Sequence, residues 1–127
     1  MTRPVLYIGN KNYSSWSMRP WLALKWAGIE FDERVLPLGA VGYGKSKIPE
    51  ILAVSPSGRV PALHLDGGVI WDSLAICEWA AEQAPSLWPA DPLTRATARS
   101  AAAEMHSGFA ALRGAASMNL RRRTPPR

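Results

Sequence analysis

The chain has 127 residues, of which 47% are hydrophobic and 20% are charged. This length suits one compact domain with a hydrophobic core and is too short for two complete domains of ordinary size. No run of apolar residues approaches the ~20 that a membrane span needs, and the N-terminus lacks the apolar core of a signal peptide, so we expect a cytoplasmic protein without a membrane partner. The single cysteine, Cys77, excludes an internal disulfide and a Cys-x-x-Cys redox pair.

The net charge of +5 is concentrated in the C-terminal quarter of the chain. Residues 94–127 contain seven arginines and one acidic residue, whereas residues 1–93 contain eight basic and nine acidic residues. A nucleic-acid site would rest on the short arginine run at 121–123 and on Arg127. Such runs are commonly solvated helix ends, so we expect no nucleic-acid partner.

The first half of the chain predicts a strand, a helix, a second strand and a short helix. The strands are apolar or alternating runs at 4–8 and 31–36. Apolar residues at helical spacing predict a helix over 16–27, which Gly28 ends. Pro20 is compatible with this helix if it lies in the first turn, which places the helix start near Ser15–Ser17. At most a short helix follows over 48–54.

The second half predicts a hairpin, a helix and a further helix after a linker. Strands at 60–65 and 69–71 flank the turn signal Asp66-Gly67-Gly68, and a helix over 73–84 is capped by Asp72 or Ser73. The order β-α-β-α-β-β-α predicts an α/β domain of thioredoxin-like layout over residues 1–84. A proline-rich linker at 85–92 and an alanine-rich helix from 93 to about 112 then begin an incomplete all-α C-terminal domain over 93–127.

The glycine-rich stretch at 39–46 matches the phosphate-binding pattern G-x-x-x-x-G-K-[ST]. That pattern requires a long helix directly after it, so that backbone amides at the helix N-terminus surround the phosphates. Pro49 and Pro56 leave room for two or three turns at most. We therefore interpret the stretch as a loop and keep a nucleotide-binding function as an alternative.

Three segments carry a resemblance to a known family. They are Tyr13-Ser14-Ser15-Trp16-Ser17-Met18-Arg19, Ser55-Pro56-Ser57-Gly58-Arg59-Val60-Pro61-Ala62-Leu63, and Asp72-Ser73-Leu74-Ala75-Ile76. In this order and spacing they resemble the N-terminal domain of the glutathione S-transferases. The Ser-Ser-x-Ser-x-Arg arrangement is similar to the serine-type classes, which include the zeta-class maleylacetoacetate isomerases. The resemblance covers nearly all of residues 4–84.

The resemblance implies that Ser14 is the catalytic residue, with Ser15 as a neighbour that shares the role. A hydroxyl group just before a helix N-terminus donates a hydrogen bond to an incoming sulfur, and the helix dipole favours an anion there. Both effects lower the pKa of a bound thiol, and the thiolate is the nucleophile. Helix capping alone is the alternative role for both serines. Trp16, in the same turn, is expected to line the pocket of the sulfur.

The remaining expected contacts to glutathione come from two other segments and a loop. The family's cis bond at Val60–Pro61 turns the Val60 backbone groups outward, toward the cysteinyl part of glutathione. Asp72 and Ser73 open a helix whose free amides, with the Ser73 hydroxyl, hold the γ-glutamyl carboxylate, while the Asp72 carboxylate pairs with the ammonium. Lys47 is expected to pair with the glycine carboxylate. Each of these residues also has a purely structural alternative, as a strand-opening proline, a helix cap or a solvated charge.

Together these residues predict a glutathione transferase, or a glutathione-dependent cis-trans isomerase, that uses glutathione as cosubstrate and no metal. The expected partners are a small electrophile and a second copy of the chain in a homodimer. The alternative is a noncatalytic binding or assembly module on the same fold.

Overall fold

A computed structural model describes residues 2–37 and 49–123. The elements follow the expected order through the first domain, after which two helices follow a 3-10 turn. Their bounds are β1 Val5–Ile8, α1 Ser15–Trp26, β2 Asp32–Val35, α2 Pro49–Leu52, β3 Ala62–Leu65, β4 Gly68–Trp71, α3 Ser73–Gln83, the 3-10 turn Pro85–Leu87, α4 Pro92–Ser107 and α5 Ala110–Ala115.

The four strands form one mixed sheet in the order β2-β1-β3-β4. Strands β1 and β2 run parallel through the crossover helix α1, while β3 pairs antiparallel with both β1 and β4. The predicted thioredoxin-like α/β fold is therefore confirmed. The carboxyl end of β1 leads directly into the turn that begins α1, which is where the first of the three family-like segments lies.

The core lies between the sheet and helices α1 and α3. It consists of fully or almost fully buried side chains from β1, α1, β3 and α3: Leu6, Ile8, Leu24, Leu63, Ile76 and Ala80. Burying such side chains contributes about 1.5–3 kcal/mol each for the larger aliphatic ones. This packing fixes the N-termini of α1 and α3 relative to the sheet, and the candidate site is built at those ends.

Helix α1 begins at Ser15, inside the expected range, but the reason given for that start was wrong. Ser14 is the N-cap, and its Oγ accepts a hydrogen bond from the Ser17 amide at 3.3 Å. Pro20 consequently lies in the second turn, where it cannot donate to the Trp16 carbonyl. Pro20 is fully buried, so packing against the core offsets the lost hydrogen bond.

The expected single helix from 93 to about 112 is interrupted. Helix α4 ends at Ser107, Gly108 is extended at φ −117° and ψ −167°, and Phe109 has a left-handed backbone at φ 65°. Glycine is a poor helix former, and the alanine-rich sequence around it did not override this preference. After this break, the side chain of Arg113 on α5 contacts the ring of Trp16 in the first turn of α1.

Within the described ranges, no helix has the length and apolar character to cross a membrane.

Candidate functional site

A cleft of about 800 Å³ opens at the N-termini of α1 and α3. Five of the eight residues expected to form the site line it together: Trp16, Val60, Pro61, Asp72 and Ser73. They come from three separate segments, namely the first turn of α1, the residues before β3 and the start of α3, and the fold brings these segments to the same end of the domain. The three family-like segments therefore meet at one cleft.

Val60 and Pro61, which directly precede β3, form one wall of the cleft. Their peptide bond is cis. Ser55 holds the preceding loop in place, because its Oγ donates to the Arg59 carbonyl at 2.6 Å. The Val60 side chain is buried beside Ile51, whereas the Val60 backbone forms no hydrogen bond with the other described residues. An amide and a carbonyl at the cleft wall are thus free to pair with an extended ligand.

Asp72 and Ser73 form the opposite wall, at the N-terminus of α3. Asp72 is the N-cap, and its Oδ1 accepts a hydrogen bond from the Leu74 amide at 3.0 Å. Its backbone has φ 74°, a conformation that costs a non-glycine residue about 1–3 kcal/mol and that occurs preferentially at functional sites. Ser73 is only 3% exposed, and its Oγ has no hydrogen-bond partner among the described residues.

His106, on α4, is a cleft residue that the sequence analysis missed. Its Nε2 lies 3.1 Å from Oδ1 of Asp72, and its ring packs edge-on against Trp16 with the centroids 5.2 Å apart. Nothing in the local sequence marked it, because its partners lie 34 and 90 positions away. The contact shows that the first helix after the linker takes part in the cleft.

Arg19 and Arg113 were not expected to lie near Trp16 either. The carbon of each guanidinium group lies close to the centroid of the Trp16 ring, at 4.1 Å for Arg19 and 4.3 Å for Arg113. Arg113 also donates to the Met105 carbonyl. Burial lowers the pKa of the Arg19 guanidinium, and the positive charge of Arg113 lowers it further.

The two serines expected to be catalytic do not line this cleft. Ser14 donates to Oγ of Ser17 at 2.8 Å, and Oγ of Ser17 also accepts from the Gly9 amide at 3.0 Å. Ser14 lies instead on the wall of a separate, mostly apolar cavity of about 200 Å³, which Leu120 also lines. Ser15 is the first residue of α1 and is half-buried. Both serines stand at the helix N-terminus, as expected, and Ser14 has the capping role there.

Two further expectations concern residues around the cleft. Lys47 and the phosphate-binding pattern at 39–46 lie outside the described residues. Arg59, which belongs to the second family-like segment, is exposed and lines the cleft. Among the residues at 2–37 and 49–123, no three potential ligands come together in a way that could hold a metal ion.

Comparisons with known proteins identify the family. The family model for the glutathione S-transferase N-terminal domain matches residues 13–83. The chain is 37% identical over 121 residues to the maleylacetoacetate isomerase of Pseudomonas aeruginosa, covering 92% of this chain and 55% of that protein. It is 38% identical over 109 residues to a probable maleylacetoacetate isomerase of Caenorhabditis elegans, covering 84% of this chain and 48% of that protein.

Solved structures agree with this assignment. A glutathione transferase homolog from Burkholderia, crystallised with bound glutathione, aligns with a TM-score of 0.71 at 32% identity, over 91% of this chain and 60% of that one. A homolog from Sulfitobacter, also with bound glutathione, aligns with a TM-score of 0.68 at 28% identity, over 84% of this chain and 50% of that one. The chain spans about half the length of the curated relatives it matches. It belongs to the glutathione S-transferase family.

Proposed function

We propose that the chain binds glutathione in the cleft between Val60–Pro61 and the N-terminus of α3. The observation that carries this proposal is the hydroxyl group of Ser73, which is buried at a helix N-terminus and has no hydrogen-bond partner among the residues that the structure describes. An unpaired buried hydroxyl costs about 1–3 kcal/mol. A carboxylate placed there accepts from the hydroxyl and from the free helix amides, and the helix dipole stabilises its charge. The γ-glutamyl carboxylate of glutathione fits this position.

The other cleft residues match the rest of the tripeptide. The carboxylate of Asp72 can pair with the γ-glutamyl ammonium. This side chain is half-exposed and also contacts His106. The free backbone groups of Val60 suit the cysteinyl residue in the manner of an added strand. This binding mode directs the sulfur toward Trp16 and the N-terminus of α1. Lys47 or Arg59 would then pair with the glycine carboxylate.

Catalysis is assigned to Ser14, with Ser15 as its neighbour. The hydroxyl group and the N-terminus of α1 stabilise the glutathione thiolate, and the thiol proton passes to solvent. In a transferase reaction the thiolate forms a bond to an electrophilic carbon, and the leaving group departs with its electron pair. In an isomerase reaction the thiolate adds to a conjugated double bond, the resulting single bond rotates, and elimination releases the thiolate again. Ser14 must exchange its hydrogen bond with Ser17 for one with sulfur.

The proposals for the electrophile pocket, the oligomeric state and the location rest on membership of the family. The electrophile would lie beside Trp16, where α4 and α5 already contribute side chains, and the remaining part of its pocket would belong to a larger helical domain that begins at 93. A homodimer and a cytoplasmic location are proposed on the same basis. The competing proposal is a noncatalytic module, and it is favoured by one observation, namely that Ser14 is engaged as a helix cap.

Two measurements test these proposals. Calorimetric titration with glutathione should show binding, while ATP with magnesium should give no heat of binding. If ATP with magnesium binds and glutathione does not, the glutathione proposal is refuted in favour of the phosphate-binding pattern. The ultraviolet absorbance of the bound thiolate, followed against pH, should show a lowered thiol pKa that returns toward the free value in Ser14→Ala. A thiol pKa that remains lowered in both Ser14→Ala and Ser15→Ala, with Ser100→Ala as the control, would remove both serines from the mechanism. A thiol pKa in the unaltered chain equal to that of free glutathione would support the noncatalytic module.

A further inference from the structure

The segment 119–121, which follows α5, is hydrogen-bonded to Asn12 in the turn between β1 and α1. Nδ2 of Asn12 donates to Oδ1 of Asn119 at 2.8 Å, and Oδ1 of Asn12 accepts from the Arg121 backbone amide at 2.7 Å. The Asn12 carbonyl accepts from the Leu120 amide at 3.2 Å. Both asparagines are half-buried. We call these three hydrogen bonds the asparagine clasp.

Backbone donors fix the orientation of both asparagine side chains. Oδ1 of Asn12 faces the Arg121 backbone amide, and Oδ1 of Asn119 accepts from the Arg122 backbone amide at 3.0 Å. The bond between the two side chains therefore runs from the Asn12 nitrogen to the Asn119 oxygen and not in the reverse direction. In these bonds Asn119 is an acceptor, whereas Asn12 is both a donor and an acceptor. The two residues consequently tolerate different substitutions.

The turn that the clasp holds carries Ser14. Asn10 connects the two parts of this turn, because its Oδ1 accepts from the Asn12 amide at 2.8 Å and its carbonyl accepts from the Ser14 amide at 2.8 Å. Leu120 extends the contact, since its side chain lines the same apolar cavity as Ser14. The segment after α5 is thus tied to the residues that directly precede the N-terminus of α1.

Apolar packing gives this turn little support. Lys11 and Tyr13 are exposed, and no residue between Gly9 and Ser14 belongs to the hydrophobic core. The ion pair between Lys11 and Glu33 is partly exposed, so solvent screens it. The clasp therefore adds half-buried restraints from outside the turn, where the core supplies none.

We propose that Asn12 and Asn119 are positioning residues for Ser14. The clasp holds the turn so that the Ser14 hydroxyl group stands at the N-terminus of α1, ready to leave Ser17 and donate to the glutathione sulfur. Neither asparagine lines the cleft, and both act through Ser14. This assignment rests on the proposed function. It predicts that loss of the clasp raises the thiol pKa of bound glutathione without weakening glutathione binding, which depends on the cleft.

Hydrogen exchange measured by NMR tests the clasp without glutathione. In Asn119→Ala the Ser14 amide should exchange about tenfold faster, because the turn opens more often once a half-buried hydrogen bond is lost. Asn119→Asp keeps the acceptor and should leave the rate unchanged. Asn12→Asp adds the same charge at nearly the same place but removes the donor, so it should behave like Asn119→Ala. The Ala27 amide at the other end of α1 is the internal reference.

The thiol pKa of bound glutathione tests the positioning role itself. In Asn119→Ala and in Asn12→Asp, ultraviolet absorbance should show about three- to tenfold less thiolate at a given pH below the pKa. Asn119→Asp should retain the thiolate of the unaltered chain. Arg122→Gln is the control within the same segment, because it keeps the backbone amide that faces Asn119. Calorimetry should give a Kd for glutathione within about twofold of the unaltered value in all four variants.

Four outcomes would overturn the proposal. If Asn12→Asp and Asn119→Asp do not differ, the hydrogen bond between the side chains has no role. If exchange of the Ser14 amide accelerates while the thiol pKa stays constant, the clasp only stabilises the turn. If Kd rises together with the pKa, the substitution distorts the cleft. A thiol pKa that is not lowered in the unaltered chain refutes the proposed function first, and it is distinguishable because it precedes any substitution. If Asn119→Ala fails to fold, the two aspartate variants keep the side-chain shape and still decide.

Discussion

Replacing Ser73 by alanine should have opposite effects on folding stability and on glutathione binding. The Ser73 hydroxyl group is buried in the ligand-free chain and has no partner within the described residues. Removing it abolishes a desolvation cost of about 1–3 kcal/mol, reduced by the small cavity left behind. We therefore expect the free energy of unfolding to rise by about 1 kcal/mol, which corresponds to an increase in Tm of about 2–6 °C.

The same substitution should weaken glutathione binding. A hydrogen bond to a charged acceptor contributes about 1.5–3 kcal/mol, so the loss of the Ser73 bond to the γ-glutamyl carboxylate should raise Kd about 10–150-fold. Thermal unfolding followed by circular dichroism measures the first effect, and calorimetry measures the second. Ser100→Ala is the control, since the Ser100 hydroxyl group donates to the Ala96 carbonyl on the exposed surface of α4.

A loss of stability without a loss of affinity would refute this reasoning. If Ser73→Ala lowers Tm by several degrees and leaves the affinity for glutathione unchanged, the hydroxyl group stabilises the ligand-free fold and does not bind the ligand. A lower Tm together with weaker binding would indicate a general loss of structure at the start of α3. Only increased stability with weaker binding agrees with a hydroxyl group that is held ready for a ligand.

Two further predictions concern the thiol and the helix break. Burial raises the pKa of Cys77 to about 11 from a reference of 9.0, so its thiolate fraction at neutral pH, and with it the rate of reaction with a disulfide reagent, should be about 100-fold below that of an unperturbed cysteine. A rate that levels off near pH 9 would contradict this. A β-carbon at Gly108 would lie 2.9 Å from the Glu104 carbonyl oxygen, whereas one at Gly114 would meet nothing within 4 Å. Gly108→Ala should therefore lower stability by about 1 kcal/mol and Gly114→Ala should raise it by about 0.5–1 kcal/mol, as measured by urea unfolding; equal effects would contradict the steric argument.

The fold could be predicted because its signals are local. Short apolar runs, the turn at Asp66–Gly67 and the capping residue Asp72 each depend on a few neighbouring positions, and these positions agree with one another along residues 4–84. The expected continuous helix after the linker was wrong because its alanine-rich composition outweighed one local signal. Gly108, a poor helix former, follows the last residue of α4 and precedes the left-handed backbone of Phe109.

The site was predictable only where the resemblance named its residues. Trp16, Val60, Pro61, Asp72 and Ser73 were expected together and line one cleft. His106 and Arg113 were not expected, because their contacts with the N-terminal segments span large distances in sequence and follow from the turn after α4. The position of Ser14 was also not predictable, since the choice between capping the helix and facing the cleft depends on side-chain rotation.

The carboxylate of Asp72 is better explained by binding than by folding. Its positive φ costs about 1–3 kcal/mol, and a glycine would adopt that backbone more readily. Asparagine would cap α3 as well as aspartate does, and the exposed pair with His106 contributes about 0–1 kcal/mol. The negative charge gains at most about 1 kcal/mol more from the helix dipole. Folding therefore gives little reason to keep a carboxylate in this strained position, whereas the γ-glutamyl ammonium group that we propose binds beside Ser73 requires one.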